Sequence, residues 1–453
     1  MKTNINIAFL FLLLVGLISC TEANSPIEEV DAGHGSDKNI QVAFNVAVPL
    51  ASLPSGRAIT DDQQVDDYTV WVFNGGLFKE AINKGDTYSK EEADGTTRTY
   101  PKVSYDSASG KMYLLLSEEY KQVRLVMIAN VDVNPPAVNT SLTEVQNQLA
   151  STEFNYNVDR MPLYGETDGE FEVKLGAEGR ITLLRAMAKV EVDATTAADH
   201  FTLEKIYVYN VNEHGTVYSA GIINTQDELL DSPVEGMAES NIASVYIPER
   251  AGVNGTNKSF VIVEGKYTGE SVSRFYHLDF IKRITTTGGI KYERLENIQR
   301  NHRYVFKMDY VTATSGYSSL NEAVETEKAD NEIGDAGKLM VIDDLGVMDI
   351  TTDNYTYLGV TAGKIDAYLN MAGTHYVACI RVVTNNVSGW KTETLPDGVS
   401  LTLSSWAPRT GEAAETVQSV WVFIDKSEVS RNDTRILYIY SGNIRKKVEI
   451  KIP

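Results

Sequence analysis

The sequence contains the side chains that most often catalyse reactions or bind metals, but their spacing matches no catalytic or metal-binding motif. The six histidines lie far apart and lack the HExxH spacing of zinc hydrolases; they are His34, His200, His214, His277, His302 and His375. There is no GxSxG elbow, no phosphate-binding glycine loop and no CxxC pair. The 62 acidic residues leave a glycosidase-like carboxylate pair open, but nothing selects two of them. We therefore predict no catalytic residue, no metal site, no cofactor and a protein that is not an enzyme.

One acidic stretch, "DNEIGDAG" at 330–337, has some features of a calcium-binding loop. It lacks the complete EF-hand spacing and the terminal glutamate. A solvated acidic loop is the preferred interpretation.

Cys20 lies at the end of an N-terminal stretch with the features of an export signal. Lys2 gives a positive start, and residues 7–18 form an apolar core too short to span a bilayer as a mature helix. This core ends in "LISC", which resembles the lipobox of bacterial lipoproteins. The resemblance implies cleavage between Ser19 and Cys20, lipidation of Cys20 and transient anchoring to a membrane. An ordinary signal peptide that happens to contain a cysteine is the alternative.

Cys379 is the only other cysteine, so lipidation of Cys20 leaves no intrachain disulfide. It lies in "HYVACIRVV", a strand-like run in which we expect a small buried thiol to pack. Stability outside the cytoplasm must then come from packing and strand pairing.

The chain is acidic, with a formal net charge of -21 and a pI near 4.8. This balance argues against nucleic acid or an anionic membrane surface as the main partner. It indicates a soluble surface, but it does not identify a partner.

The stretch from residue 39 to 62 places a regular strand pattern just before a lone arginine. Apolar side chains fall on every second position, at Ile40, Val42, Phe44, Val46, Val48 and Leu50. A Pro-Ser-Gly tether and Arg57-Ala58 follow, in a context that suits an exposed, cleavable loop. Removing such a strand would expose an apolar slot flanked by unpaired backbone groups, which a partner strand could fill. A permanent edge strand with an incidental arginine is the alternative.

The strand signals continue to the end of the chain and predict an all-β fold, with one short helix at 142–151. In that helix Leu142, Val145 and Leu149 would share a face. Seven short strands in about the last hundred residues favour an immunoglobulin-like sandwich. The predicted divisions are a signal peptide (1–19), a lipidated propeptide with the strand (20–57), two lobes (58–192 and 193–312), an acidic linker (313–349) and the C-terminal domain (350–453). An exposed short helix is the alternative for the acidic segment.

Several phrases, in this order, resemble the fimbrillins of Bacteroidales type V fimbriae. They are "TVWVFNGG", "VRLVMIANV", "MPLYGE", "ITLLRAMAKVEV", "VYIPER", "VIVEGKY" and "IQRNHRYVFKM", and they cover about residues 40–312. The resemblance implies two tandem transthyretin-like β-sandwich lobes, ahead of the immunoglobulin-like β-sandwich. It also implies export as an outer-membrane lipoprotein, cleavage after Arg57 by an Arg-specific protease, a new N-terminus at Ala58 and assembly by donor-strand exchange.

The C-terminal domain exceeds what a plain stalk subunit needs, and the chain resembles a minor, tip-associated subunit. The final strand "KKVEIKIP" follows a tight turn at Ser441-Gly442-Asn443, so we expect it to be used within its own domain. A subunit that accepts a strand but donates none would sit at or near the fimbrium tip. The resemblance implies the major stalk fimbrillin and other tip subunits as partners, and adhesion to host cells, matrix proteins and other bacteria, with biofilm formation. A surface glycan-binding lipoprotein with an immunoglobulin-like spacer is the alternative.

Overall fold

The computed structural model describes residues 39–47, 64–92, 94–107, 109–167, 169–219, 228–253, 257–286, 289–308, 311–312, 315–326, 329–333, 338–343, 348–353, 356–361, 364–370, 373–386, 388–393, 395–403 and 418–452. Strands dominate these residues, which confirms the all-β prediction. Within the same residues, no helix has the length and apolar character needed to cross a membrane.

The N-terminal part of the described chain forms a nine-stranded sheet, a separate hairpin and one helix. The elements are β1 (Asn39–Ala47), β2 (Tyr68–Asn74), β3 (Leu77–Asn83), β4 (Thr87–Glu91), β5 (Thr97–Pro101), β6 (Val103–Asp106), β7 (Lys111–Ser117), β8 (Gln122–Ala129), α1 (Leu142–Ala150), β9 (Glu153–Asn155), β10 (Leu163–Thr167), β11 (Phe171–Glu172) and β12 (Glu178–Arg185). The sheet runs β3-β2-β8-β10-β12-β1-β7-β6, with β11 on β8, and β4 pairs with β5. Its buried side chains form the first core.

The predicted helix is confirmed as α1, with Val145 and Leu149 buried. The apolar periodicity that predicts this helix does not identify its N-terminal cap. Ser141 accepts a hydrogen bond from the backbone of Glu144, and the Glu144 side chain accepts one from the backbone of Ser141. This capping box satisfies backbone donors that the first turn would otherwise leave unpaired.

A second core lies between a six-stranded and a four-stranded sheet. The elements are β13 (Met187–Asp193), β14 (Phe201–Tyr209), β15 (His214–Thr216), β16 (Val234–Met237), β17 (Ile242–Pro248), β18 (Arg250–Ala251), β19 (Phe260–Tyr267), β20 (Arg274–Asp279), β21 (Ile281–Thr286), β22 (Gly289–Arg294), β23 (Asn297–Ile298), β24 (His302–Lys307), α2 (Leu320–Glu325), α3 (Asp330–Ile333) and β25 (Lys338–Asp343). The sheets run β17-β13-β24-β25-β21-β22 and β16-β14-β19-β20, while β15 pairs with β9 and β18 with β23.

The segment 313–349, expected to be a linker or an exposed short helix, contributes three of these elements, α2, α3 and β25. The strand β25 pairs along its length with β24, from His302↔Asp343 to Lys307↔Lys338. Ala323 in α2 is fully buried, and Asn331 in α3 exchanges hydrogen bonds with the backbone of Asp279 at 3.1 and 2.7 Å. Polar residues in this segment therefore bind the second sandwich, although their composition is typical of a linker.

The C-terminal part forms a third core between two sheets. The strands are β26 (Met348–Asp353), β27 (Thr356–Thr361), β28 (Lys364–Asp366), β29 (Tyr368–Leu369), β30 (His375–Thr384), β31 (Lys391–Thr392), β32 (Val399–Leu403), β33 (Gln418–Asp425), β34 (Thr434–Ser441) and β35 (Ile444–Lys451). One sheet runs β26-β27-β30-β33-β32 with β29 on β30, and the other runs β28-β35-β34-β31.

The predicted C-terminal hairpin is confirmed. Ser441 pairs with Ile444, and Gly442 adopts a positive φ of 58° in the turn, where glycine is favoured. The side chains of Val448, Ile450 and Ile452 are fully buried. Because β35 lies between β28 and β34, the last strand is used inside its own sandwich.

Candidate functional site

The strand β1 is an internal strand of the nine-stranded sheet. It pairs in parallel with β12, in the register Phe44↔Gly179 and Val46↔Ile181. Its other neighbour in the sheet is β7. Both edges are fixed by backbone hydrogen bonds, from Ala43 N to the Ala177 carbonyl at 3.1 Å and from Val46 N to the Gly110 carbonyl at 2.8 Å. Strand alternation predicted the strand, but not this central position.

The alternating side chains of β1 fill part of the first core. Val42 and Phe44 are each 1% exposed and Val46 is 5% exposed, while Asn39 and Asn45 lie at the surface. Ile40 is half-buried against the same core. The predicted apolar face is therefore confirmed from Ile40 to Val46, and the remaining two members, Val48 and Leu50, lie outside the described residues.

Gly179 leaves room for the ring of Phe44. A Cβ atom at Gly179 would lie 2.4 Å from Cε1 and 2.6 Å from Cδ1 of Phe44. The ring of Phe171 on β11 closes another side, with its centroid 4.7 Å from that of Phe44 at an interplanar angle of 52°. The aromatic side chain of β1 thus occupies a pocket made by residues that do not belong to β1.

An ion pair crosses the outer side of β1. The ammonium Nζ of Lys111, on β7, lies 3.6 Å from Oε1 of Glu178, on β12. Both side chains are exposed, at 39% and 60%, so the pair adds little stability. It joins the two strands between which β1 lies.

The predicted processing residues lie outside the described part of the chain. These are Ser19 and Cys20 at the lipidation site and Arg57 and Ala58 at the protease site. The described chain ends at Ala47 after β1 and resumes at Gln64, ahead of β2.

Among the described residues, the structure brings together a group of metal-capable side chains that sequence spacing does not predict. Ligand atoms of Glu213, His214 and Glu228 lie within 4.8 Å of one another. Glu228 arrives there through backbone pairing, since Glu213 N donates to the Glu228 carbonyl at 2.9 Å. Both glutamates are exposed, and exposed carboxylates are common without an ion, so we assign no function to the group.

Buried charges in the second sandwich are paired with one another. Asp279, 1% exposed, accepts hydrogen bonds from His277, from Lys258 at 2.9 Å and from Arg294 at 2.5 Å. Burial alone would raise the pKa of Asp279, but these three donors hold it well below its usual range. The neighbouring Asp330 behaves differently: burial raises its pKa despite the hydrogen bond from the backbone of His277. Asp330 attaches α3 to β20 through the hydrogen bond from His277 N, whereas the Asp279 carboxylate joins His277, Lys258 and Arg294. Both carboxylates have a structural role.

Cys379 differs from the expectation of a buried thiol, since its side chain is only half-buried. The alternation of β30 places Ala378, Ile380 and Val382 in the third core, so Cys379 faces outwards. Opposite it on β33 is Trp421, which is 36% exposed. On the same sheet, Tyr368 is 52% exposed, whereas Tyr357 is fully buried. Tyrosines of this sandwich thus serve both core and surface.

No protein-family model matches the chain, and no curated protein matches it. Several solved structures, however, are similar to the chain. A tip fimbrial protein from Porphyromonas gingivalis, with a C-terminal truncation, is 15% identical, with a TM-score of 0.38 over 61% of this chain and 96% of that one. A "putative cell adhesion protein" from Parabacteroides distasonis is 12% identical, with a TM-score of 0.35 over 62% and 90%. Another from Bacteroides eggerthii is also 12% identical, with a TM-score of 0.33 over 67% and 95%.

The structures to which the chain is similar are a tip fimbrial protein and proteins of Bacteroidales described as "putative cell adhesion" proteins, the kind of protein that the sequence resemblance predicts.

Proposed function

We propose that this chain is a non-enzymatic, minor or accessory fimbrial subunit at or near the fimbrium tip. It is exported as an outer-membrane lipoprotein through Cys20, cleaved after Arg57 and assembled on the cell surface by donor-strand exchange. Its partners are the major stalk fimbrillin and other tip subunits, and the assembled fimbrium adheres to host cells, matrix proteins and other bacteria.

The observation that carries the strand-exchange proposal is the internal position of β1. A strand at the edge of a sheet could leave without opening the core, but β1 has a neighbour on each side. Its loss would uncover the backbone groups of β12 and β7 along one slot. Unpaired strand edges of this kind bind an added strand through main-chain hydrogen bonds.

The same position explains why the precursor would not assemble early. While β1 is in place, Val42, Phe44 and Val46 cover the first core, and the slot offers no free edge. The slot becomes available only after the chain is cut between β1 and β2. Arg57 lies in that connection, and an Arg-specific protease would cleave the chain there.

The C-terminal hairpin supports a place at the end of a polymer. A stalk subunit must both accept and donate a strand, but β35 is held between β28 and β34. A chain that accepts a strand with its first sandwich and keeps its last strand would terminate the fibre.

Limited digestion of the full-length chain with an Arg-specific protease tests this function, with Arg57→Ala as the control variant. We expect one early cut that leaves Ala58 as the N-terminal residue, followed by oligomers or uptake of a strand from a partner subunit. The Arg57→Ala chain should remain monomeric.

The N-terminal residue of protein recovered from the cell surface is the decisive measurement. Surface material that still begins at Cys20, or a trimmed chain that takes up no strand, contradicts the proposal. A chain that stays monomeric after cleavage and is stabilised by a polysaccharide in a thermal-shift assay is instead a glycan-binding lipoprotein.

A further inference from the structure

We propose that the slot occupied by β1 selects its incoming strand by one aromatic side chain, received in the pocket between Gly179 and Phe171. The inference rests on the proposed strand exchange and names the sequence feature that a partner strand must carry. The pocket belongs to β12 and β11, so it stays with the subunit when β1 leaves.

Position 179 requires glycine because there is no space for a side chain, whereas its backbone conformation would allow one. Several glycines of the chain have a positive φ, which side chains rarely adopt, but Gly179 is not among them. An alanine could therefore adopt its backbone conformation. What excludes a side chain is the ring of Phe44, which would lie 2.4 Å from the added Cβ, with Phe171 at 3.0 Å.

The other core-facing residue of β1 that pairs with β12 is Val46, and its position places a weaker restriction on side-chain size. Val46 lies opposite Ile181, which has an ordinary branched side chain and is fully buried. A medium aliphatic side chain fills the space at that position. Among the described residues of the slot, the wall of β12 lacks a side chain only opposite Phe44.

We therefore expect an incoming strand to carry the five-residue pattern aliphatic, any, aromatic, any, aliphatic. Its aromatic residue should lie opposite Gly179. The period of two places all three side chains on the core face, and a slip by one residue would turn the aromatic ring out into solvent. The pocket thus fixes register as well as partner.

Synthetic peptides test the pocket on the full-length chain cleaved after Arg57, from which the native segment has been displaced. The probe is a peptide of residues 39–50, compared with its Phe44→Ala and Val42→Ala versions by fluorescence anisotropy. We expect Phe44→Ala to weaken binding on the order of 10²- to 10³-fold. Val42→Ala removes less buried surface and should cost roughly 10-fold.

A Gly179→Val chain provides the complementary variant. It should bind the Phe44→Ala peptide better than it binds the unchanged peptide, which reverses the preference of the native chain. If that variant does not fold, the two peptide versions still decide the matter. Equal losses from Phe44→Ala and Val42→Ala overturn the pocket while leaving strand exchange intact. Failure of every peptide to bind the cleaved chain overturns strand exchange, and the pocket with it.

Discussion

His277 Nε2 lies 3.1 Å from Asp279 Oδ1 inside the second sandwich, and both side chains are only 1% exposed. The other ring nitrogen, Nδ1, lies 2.8 Å from the carbonyl of Ala323 in α2. The ring of His277 therefore lies between an oxygen of β20 and an oxygen of α2. It links the segment 313–349 to β20 next to the buried ion pairs that Asp279 makes with Lys258 and Arg294.

Replacing Asp279 by asparagine should destabilise the second sandwich. The variant leaves His277, Lys258 and Arg294 without their shared carboxylate, and breaking a buried ion pair costs about 3–5 kcal/mol. We expect about 3 kcal/mol, because Lys258 and Arg294 are partly exposed and can turn towards water. Urea denaturation measures the change.

The control for that variant is Glu204→Gln. Glu204 pairs with Lys266 at 2.7 Å, but both side chains are about a third exposed, so the loss should stay below about 1 kcal/mol. Equal losses in the two variants would show that the buried network contributes nothing special.

The stability of the chain should fall in acid because of Asp279. Its pKa is lowered in the folded protein, so its contribution is complete above the unfolded pKa of about 4. That contribution is lost as the pH falls further, towards the folded pKa. Denaturation series between pH 3 and pH 7 should show a flatter acid limb for Asp279→Asn than for the native chain. Parallel limbs would contradict this assignment.

Asp330→Asn should act with the opposite sign. Burial raises the pKa of Asp330, so its ionised form opposes folding at neutral pH. The contribution of this group favours folding below a pH of about 4 and is lost as the pH rises through the folded pKa. An asparagine oxygen can still accept the 2.8 Å hydrogen bond from His277 N. We expect equal or higher stability at pH 7, and a clear loss at that pH would contradict the prediction.

A methyl group at Gly165 should disturb the nine-stranded sheet. Gly165 lies on β10 between β8 and β12, and an added Cβ would lie 2.4 Å from the Thr182 carbonyl oxygen, which is backbone and cannot turn aside. We expect Gly165→Ala to cost about 1–3 kcal/mol of unfolding free energy. The matched variant Gly169→Ala meets nothing within 4 Å and should change stability by less than about 0.5 kcal/mol. Similar effects at both positions would remove the packing explanation.

Truncation after Asn443 should open the third sandwich. It removes β35, so β28 and β34 lose their shared neighbour and the third core loses Val448, Ile450 and Ile452. We expect rapid proteolysis within 356–443 and a partial loss of near-UV circular dichroism, because the aromatic side chains of the other two cores stay in place. Removal of Pro453 alone should change neither signal. A truncated chain that keeps both signals would show that the last strand is dispensable, as a donated strand would be.

Strand alternation predicted the apolar face of β1 because side chains of a strand repeat with a period of two. Its central position could not be predicted, since the partner residues Gly179 and Ile181 lie more than a hundred positions away and carry no local signal. The pocket at Gly179 was hidden for the same reason. From sequence alone, a glycine at the start of a strand is interpreted as part of a turn. Its role in packing is visible only when the residue that pairs with it on the neighbouring strand is known.

The polar, acidic composition of the segment 313–349 predicts a linker or an exposed short helix. In the structure that polarity has specific partners, such as Asn331 on the backbone of Asp279. Composition cannot distinguish a polar side chain in water from one that satisfies a buried strand. Likewise, the proximity of Glu228 to His214 depends on the backbone hydrogen bond from Glu213 N to the Glu228 carbonyl, which cannot be inferred from residue spacing.

The central place of β1 has a consequence for when the subunit could leave the membrane. In the proposed precursor, the lipid on Cys20 and the strand belong to one continuous piece of chain. A cut after Arg57 would separate that piece covalently, yet its hydrogen bonds to β12 and β7 would still hold the trimmed molecule to the lipid. Departure would then await an invading strand, so that a subunit is set free only at the moment it joins a fibre.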